Sequence, residues 1–446
     1  MHTIHGILIA SAIVAPGCAP SGGVGSPAGP TSKEQPATAP DLPEADCRAF
    51  ADAITKTVGE ADLPGFNALI DWDELLRATL VGIQVSDSER KSMAVSIRQT
   101  CETEQGITGQ IVRNIKKGGT ITYLRTRRIQ GKQAVLFRLT LDDDSGGVNY
   151  FEFFPARSPD GRVRAGDFYI YLVGERVSES MHRMILPILT DASRSVLDRL
   201  IMGERDFVHD FPKVIEASRR LSQGKPAEAL AIYKGLRPET RKQKSVMIGR
   251  FGAAQGGNDD AEFNAVIEEF RKTYPNDRCI DLISIDGYFL HKDYDAAMKC
   301  VDRVDESLGG DPYLDTLRAN VCEMRGDHKE ALRLCRRAIE REPSLLHAHW
   351  ALVTFLLSDK DYPGVLAHLK EMDRRFSLSF DDLSEVPAYA GFVKSPQYKK
   401  WLAYLDAKKS APAPKDAAND APKSSGAAAS PGAGVTPPGS AATTPR

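Results

Sequence analysis

A period of 34 residues runs through the second half of the chain and constrains its fold more than any other feature. A two-residue turn signal recurs at this interval: Gly224-Lys225, Asn258-Asp259, Lys292-Asp293, Gly326-Asp327 and Lys360-Asp361. Three registers after each turn keep small or apolar residues at the same interval: Ala229, Phe263, Ala297, Ala331 and Val365, then Tyr233, Ile267, Val301, Cys335 and Leu369, then Leu236, Phe270, Val304, Ala338 and Met372. A fixed period of this length predicts a helical repeat array.

Each repeat is predicted to be a pair of helices joined by a short turn. Gly, Asn and Asp end one helix and cap the next, so the turn signal separates two stretches of about a dozen residues. In the second stretch, Ala331, Cys335 and Ala338 follow one another at spacings of four and three residues and therefore share one helix face. One pair cannot bury such a face alone, so residues 209–376 are predicted to stack into an all-α solenoid.

The segments 325–343 and 291–304 resemble the tetratricopeptide repeat (TPR) family. The chain departs from the family pattern at Phe251, Ile285 and Val353, where the family has a small residue in the first helix. The resemblance implies that the first helix of each pair lines a concave groove that binds a protein or peptide partner. The partner-binding residues that it implies are Leu282, Asp286, Tyr313, Asn320, His347 and Trp350. Trp350 has a second interpretation, as a core residue, because large aromatic side chains usually pack inside.

Two segments follow the predicted repeats. Residues 377–407 keep their aromatic and apolar content and are predicted to form capping helices over the last repeat. Residues 408–446 are rich in Ala, Pro, Gly, Ser and Thr and are predicted to be a disordered tail, because they cannot bury enough apolar surface to offset the entropy of ordering.

The first half of the chain predicts an α+β domain over 44–205. Helices are predicted over 66–81, 86–103 and 178–203. Ser86 opens the second of these helices, and Glu89 three residues later completes a capping box. Runs rich in aromatic and β-branched residues predict a four-stranded sheet over 119–128, 132–141, 147–156 and 161–174. The short connections between the strands predict an antiparallel meander.

Aromatic residues crowd the third and fourth predicted strands, and alternation puts them on both faces of the sheet. They form either a packed core or a ligand cavity lined by Tyr150, Phe153, Phe168 and Tyr171. The order of sheet and helices is similar to the nuclear-transport-factor-two-like fold, and 167–189 resembles the end of a periplasmic phospholipid-carrier family. These resemblances imply an alternative function, a periplasmic carrier or sensor of an apolar ligand.

The first 43 residues predict a signal and a tether. The apolar run 7–14 suits a secretory signal and is far shorter than a membrane span. Ala15-Pro16-Gly17-Cys18 resembles a bacterial lipoprotein cleavage box, which implies a signal peptide over 1–17 and lipidation of Cys18. Cleavage by ordinary signal peptidase is the alternative. Residues 18–43 are predicted to be a disordered tether on a membrane-anchored lipoprotein that faces the periplasm or the exterior of a bacterial envelope.

The sequence carries no established catalytic or metal-binding motif. It has no C-x-x-C pair, P-loop, G-x-S-x-G or H-E-x-x-H pattern, so no enzyme, cofactor or metal site is predicted. Cys47 and Cys101 could form a disulfide in an oxidising envelope, with buried thiols as the alternative. The balance of 58 Lys+Arg against 60 Asp+Glu gives a net charge of −2, which predicts no nucleic-acid partner.

These observations together predict a non-enzymatic, envelope-anchored TPR adaptor that binds a protein or peptide in its groove. Hydrophobic residues at 42% and charged residues at 26% are ordinary for globular domains and exclude a wholly disordered chain and a polytopic membrane protein.

Overall fold

The computed structural model describes residues 41–83, 86–129, 131–141, 147–192, 200–277, 279–378, 380 and 382–410. The predicted signal peptide, Cys18 and nearly all of the predicted tether and tail lie outside the described residues. Contacts divide the described chain into two compact units, the first ending at Ile280 and the second beginning at Asp281. No helix in the described ranges has the length and apolar character needed to cross a membrane.

The first unit begins with helices that precede a sheet: α1 (Glu44–Gly59), α2 (Leu63–Asn67), α3 (Trp72–Thr79), α4 (Asp87–Cys101) and α5 (Ile107–Lys116). The capping box at the start of α4 is confirmed, since Ser86 accepts from the Glu89 backbone N–H and Glu89 accepts from the Ser86 backbone N–H. The single helix predicted over 66–81 is wrong. The chain leaves α2 to form a bridge between Ile70 and Ala165, and Asp71 then caps α3.

The sheet has five strands rather than the predicted four: β1 (Thr120–Ile129), β2 (Lys132–Thr140), β3 (Val148–Arg157), β4 (Val163–Ile170) and β5 (Glu175–Arg176). Their order follows the chain and every neighbouring pair is antiparallel, as the predicted meander requires. The fourth predicted strand ends early because Gly174 takes a φ of +71°, a conformation that favours glycine. The chain reverses there, and Glu175 pairs back with Ile170.

One face of the sheet forms the core of the α+β part. Phe153 lies at its centre, with its ring 4.9 Å from Phe168, 5.5 Å from Phe137, 6.2 Å from Phe66 and 6.3 Å from Phe50 between centroids. Three of these neighbours meet Phe153 edge to face and Phe168 stacks on it, which are the favoured arrangements of aromatic pairs. The helices α1 and α2 therefore bury their apolar sides against β2, β3 and β4.

Helices complete the first unit: α6 (Val177–Ala192), α7 (Met202–Ser222), α8 (Pro226–Lys234), α9 (Pro238–Arg241), α10 (Lys244–Gly256) and α11 (Asp260–Thr273). The second unit continues with α12 (Cys279–Leu290), whose first two residues belong to the first unit, α13 (Tyr294–Leu308), α14 (Pro312–Met324), α15 (His328–Arg341), α16 (Leu346–Ser358) and α17 (Tyr362–Phe376). The mostly helical C-terminal region is thus compatible with a TPR-like solenoid.

The structure forms the turns that the 34-residue period predicts. The first residue of each turn pair has a positive φ, which is +71° at Gly224, +53° at Asn258, +59° at Lys292, +84° at Gly326 and +57° at Lys360. The aspartate that follows caps the next helix in four of these turns. The fifteen residues of the three apolar registers are all buried. The period therefore marks one local structure that is repeated five times within the described residues.

The segment after the last repeat packs on that repeat. It comprises two short 3-10 helices (Leu383–Glu385 and Pro387–Tyr389), α18 (Ala390–Val393) and α19 (Pro396–Ser410). Phe392 and Trp401 are fully buried and share a hydrophobic cluster with Leu369 and Met372 of α17. This packing covers the apolar side that the last helix pair would otherwise expose.

Lys292→Gly is expected to raise the free energy of unfolding of the second unit by about 0.5–1 kcal/mol. A left-handed conformation costs a non-glycine residue about 1–2 kcal/mol, and the added freedom of the unfolded chain offsets part of the gain. Lys299→Gly in α13 is the matched control and is expected to lower the same quantity by about 1 kcal/mol. Urea denaturation followed by circular dichroism measures both changes, and losses of equal size would contradict the role given to the turn.

Candidate functional site

A row of accessible side chains crosses the first helices of the repeats in the second unit. We call this row the repeat face and define it by two residues from each of α12, α14 and α16: Asp286, Leu290, Asn320, Met324, Thr354 and Ser358. The two residues on each helix are four apart and so point the same way. Their counterparts on the next helix are 34 residues away. Asp286, Leu290 and Ser358 are exposed, and the other three are half-buried.

The structure separates the six predicted partner-binding residues by accessibility. Leu282 and Tyr313 are buried, with 6% and 2% of their surface exposed, so neither presents a side chain to a partner. Asn320, His347 and Trp350 are half-buried, and Asp286 is exposed. Accessibility therefore increases along each first helix toward its carboxyl end.

Trp350 and His347 are held in place by aromatic neighbours. The Trp350 ring meets Phe380 edge to face at 6.1 Å and joins the hydrophobic cluster of the last repeat. The His347 ring meets Tyr313 edge to face at 5.5 Å. Both interpretations of Trp350 therefore have support, because the residue packs on the core and still keeps part of its surface accessible.

Asp286 carries an unneutralised carboxyl group on the repeat face. Water reaches its side chain, yet the surrounding protein excludes enough solvent that desolvation raises the pKa of the carboxyl to about 6. No cation or hydrogen-bond donor among the described residues contacts it. Nearby acidic groups differ, since Glu323 and Asp359 both contact His328, at 2.6 and 2.7 Å.

Asn320 occupies the equivalent position one repeat later. Its Oδ1 atom is buried and accepts no hydrogen bond from any described residue. A buried acceptor without a donor costs about 1–3 kcal/mol. The repeat face thus contains two oxygen acceptors, 34 residues apart in sequence, that lack donors from the chain itself.

The predicted site omits Leu290, Met324 and Thr354. Two signals could have found them. Thr354 continues the register of Asp286 and Asn320 at the same 34-residue interval, and the other two lie one helical turn beyond that register.

The four aromatics predicted to line a cavity do not meet in one place. Phe153 and Phe168 stack inside the core of the α+β part, as described above. Tyr150 and Tyr171 meet edge to face at 5.7 Å on the opposite face of the sheet. The Tyr171 hydroxyl donates to Glu152 at 2.7 Å and accepts from Arg127 at 2.7 Å. These contacts describe two separate packed pairs on opposite faces of the sheet.

A buried polar chain joins the sheet to the first repeats within the first unit. Asp277 accepts from the Tyr169 hydroxyl at 2.8 Å and from the Lys244 ammonium at 2.5 Å, and Lys244 also donates to the Gly174 carbonyl at 2.9 Å. Burial acts to lower the pKa of Lys244, and the neighbouring Asp277 carboxylate outweighs it and raises the pKa. The β4–β5 turn is thereby tied to α10 and to the residues after α11, which explains why the first repeats belong to the same compact unit as the sheet.

The cysteines and the basic cluster have structural surroundings. Cys47 and Cys101 are both free and buried, so the disulfide considered for them is not formed in the structure. Burial raises the pKa of the Cys101 thiol to about 11. On β1, Arg127 pairs with Glu152 and Arg128 pairs with Asp41, which neutralises these two charges of the basic strand.

Comparisons with known proteins add little to this description. No protein-family model and no curated protein matches the chain. The solved structure of MamA AMB-1 matches 41% of this chain and 100% of its own, with 14% sequence identity and a TM-score of 0.31. A likeness at this level carries no argument about function, which therefore has to be inferred from the chain's own residues.

Proposed function

We propose that the protein is a non-enzymatic adaptor that binds an extended segment of a partner protein on the repeat face. The observation that supports this proposal is the pair of acceptors, Asp286 and Asn320, that occupy one register of successive repeats and lack donors from the chain. A partner chain supplies backbone and side-chain donors at regular intervals when it lies extended along such a face. Leu290 and Met324 next to these acceptors supply apolar contact area.

A photo-crosslinking experiment tests the adaptor role. A photoreactive amino acid replaces Met324, Thr354 or Ser358 in turn in the full chain, and Lys299 or Arg333 on second helices serves as the control position. We expect the same partner to be crosslinked from all three repeat-face positions and from neither control. Equal crosslinking from the control positions would overturn the proposal, because contact would then not depend on the repeat face.

The proposed location of the adaptor is a bacterial envelope, where lipid on Cys18 would anchor it. The support is the cleavage-box resemblance at Ala15-Pro16-Gly17-Cys18. The intact mass of the mature protein, purified from a membrane fraction, tests this. We expect a chain that begins at Cys18 and carries two or three acyl groups. An unmodified chain that begins beyond Cys18, recovered from the soluble fraction, would contradict the anchor.

A further inference from the structure

Asp286 distinguishes between classes of peptide that the repeat face could bind. Its carboxyl group is exposed, yet no described cation contacts it, whereas the acidic groups Glu323 and Asp359 are paired with His328. An unpaired carboxylate in a partly desolvated place is unfavourable until a cation reaches it. The charge of the repeat face is therefore complementary to a basic side chain and repels an acidic one.

The second acceptor sets a requirement one repeat away. Asn320 Oδ1 is buried without a donor, so a bound segment gains stability by placing an N–H or O–H group there. The exposed side chain of Leu290, on the same helix as Asp286, offers apolar contact beside the carboxylate. The three features together define an order along the face of apolar contact, cation and neutral donor.

We infer that the repeat face takes an extended partner segment with a lysine or arginine at the residue that meets Asp286 and a neutral hydrogen-bond donor at Asn320. This inference rests on the proposed adaptor function and names the chemistry of its partner. Both the cation and the carboxylate are held close to protein that limits water, so their hydrogen bond is a charge-assisted one. Arginine and lysine both satisfy this requirement, and an acidic or apolar residue at the same place does not.

The probe is a positional-scanning library of synthetic decapeptides in which one position is fixed as Lys, Arg, Glu or Leu and the others are mixtures. Binding to the full-length protein is measured at pH 7.5. We expect Lys and Arg to be favoured over Leu by about tenfold at one position of the peptide. Asp286→Asn is expected to abolish that preference and to leave the binding of the Leu-containing peptides unchanged.

Two further variants make the result specific. Glu340→Gln removes an exposed carboxylate from the second helix α15 and is expected to leave the preference intact. Asn320→Ala is expected to weaken the binding of charged and uncharged peptides alike, since its acceptor does not select charge. The preference for Lys is also expected to fall between pH 7.5 and pH 5.5 in the wild-type protein and not in Asp286→Asn.

The outcomes separate this inference from the proposal on which it rests. Peptides that bind the repeat face without any preference for a basic residue would overturn the inference and leave the adaptor function standing. A preference for basic residues that survives in Asp286→Asn would overturn it as well. If no peptide binds and no partner is crosslinked from the repeat face, the adaptor function itself fails.

Discussion

Asp277→Asn is expected to lower the free energy of unfolding of the first unit by about 3 kcal/mol. The substitution keeps an oxygen that can accept from the Tyr169 hydroxyl, and removes the charge that compensates Lys244. Breaking one partner of a buried ion pair costs about 3–5 kcal/mol, and the low end applies here because 19% of the Lys244 side chain still meets water. Chemical denaturation followed by circular dichroism gives the change.

A double-mutant cycle identifies the cause of that loss. Lys244→Met combined with Asp277→Asn removes both charges, so the double variant is expected to recover part of the stability lost in Asp277→Asn alone. Lys242→Met is the matched control, since Lys242 pairs with Glu239 on the surface and exposed pairs contribute at most about 1 kcal/mol. Additive effects of Lys244→Met and Asp277→Asn would contradict a coupled pair.

The repeated turns could be predicted because their signal is local. A residue that tolerates positive φ followed by an aspartate N-cap contains the whole turn within a few residues, and the period shows it five times. Lys292 and Lys360 are the exceptions to the preference for Gly or Asn, and the period still identified them. The apolar registers were equally predictable, since each side chain faces its neighbours at a fixed phase of the helix.

Features that depend on distant residues escaped the sequence. The fifth strand exists because Gly174 reverses the chain, and nothing in the run 161–174 marks that residue as the end of a strand. The pairing of Tyr169 with Asp277 joins positions 108 residues apart. Alternation correctly put aromatics on both faces of the sheet but could not say which face lies on the helices, because that depends on how α1 and α2 pack.

The candidate site was predicted in part for the same reason. The period brought Asp286 and Asn320 to one register, and both prove accessible. Leu282 and Tyr313 are buried because accessibility on a first helix changes within one turn, and a sequence fixes helix phase only to about one residue. The missing donor at Asn320 Oδ1 is a property of the packed structure and has no counterpart in the sequence.

His349 and His368 form a buried pair in the second unit that makes its stability depend on pH. His349 Nε2 lies 3.0 Å from the Pro343 carbonyl and donates to it, so its Nδ1, 3.1 Å from His368 Nε2, accepts from His368. Two neutral rings satisfy this arrangement. Burial lowers the pKa of both, and that of His368 falls from 6.5 to about 4, with the neighbouring His349 adding to the effect.

The groups that face this pair do not reverse the effect. Glu371 is the nearest acid, with Oε2 3.8 Å from His368 Nδ1, and its side chain is 41% exposed. Arg375 on α17 and Arg336 on α15 oppose protonation of His368. The Phe376 ring, edge-on to His349 at 5.0 Å, adds apolar surroundings.

Stability of the second unit is therefore expected to fall as the pH drops from about 6.5 toward 4. In this window the unfolded chain binds protons that the folded pair does not, so acid favours unfolding. At 1.36 kcal/mol for each pH unit, His368 alone accounts for a loss of about 3 kcal/mol once the pH is below 4. Hydrogen exchange over α16 and α17, measured at pH 7.5, 5.5 and 4.5, reports the change directly.

His368→Gln is the decisive variant, because its side-chain amide can still donate to His349 Nδ1 and does not titrate. We expect it to reduce the pH dependence of exchange in α16 and α17 by more than half. His209→Gln changes an exposed histidine on α7 and is expected to leave that dependence unchanged. If His368→Gln retained the full acid sensitivity of the wild-type protein, carboxylates elsewhere in the unit, and not the buried imidazole pair, would be responsible.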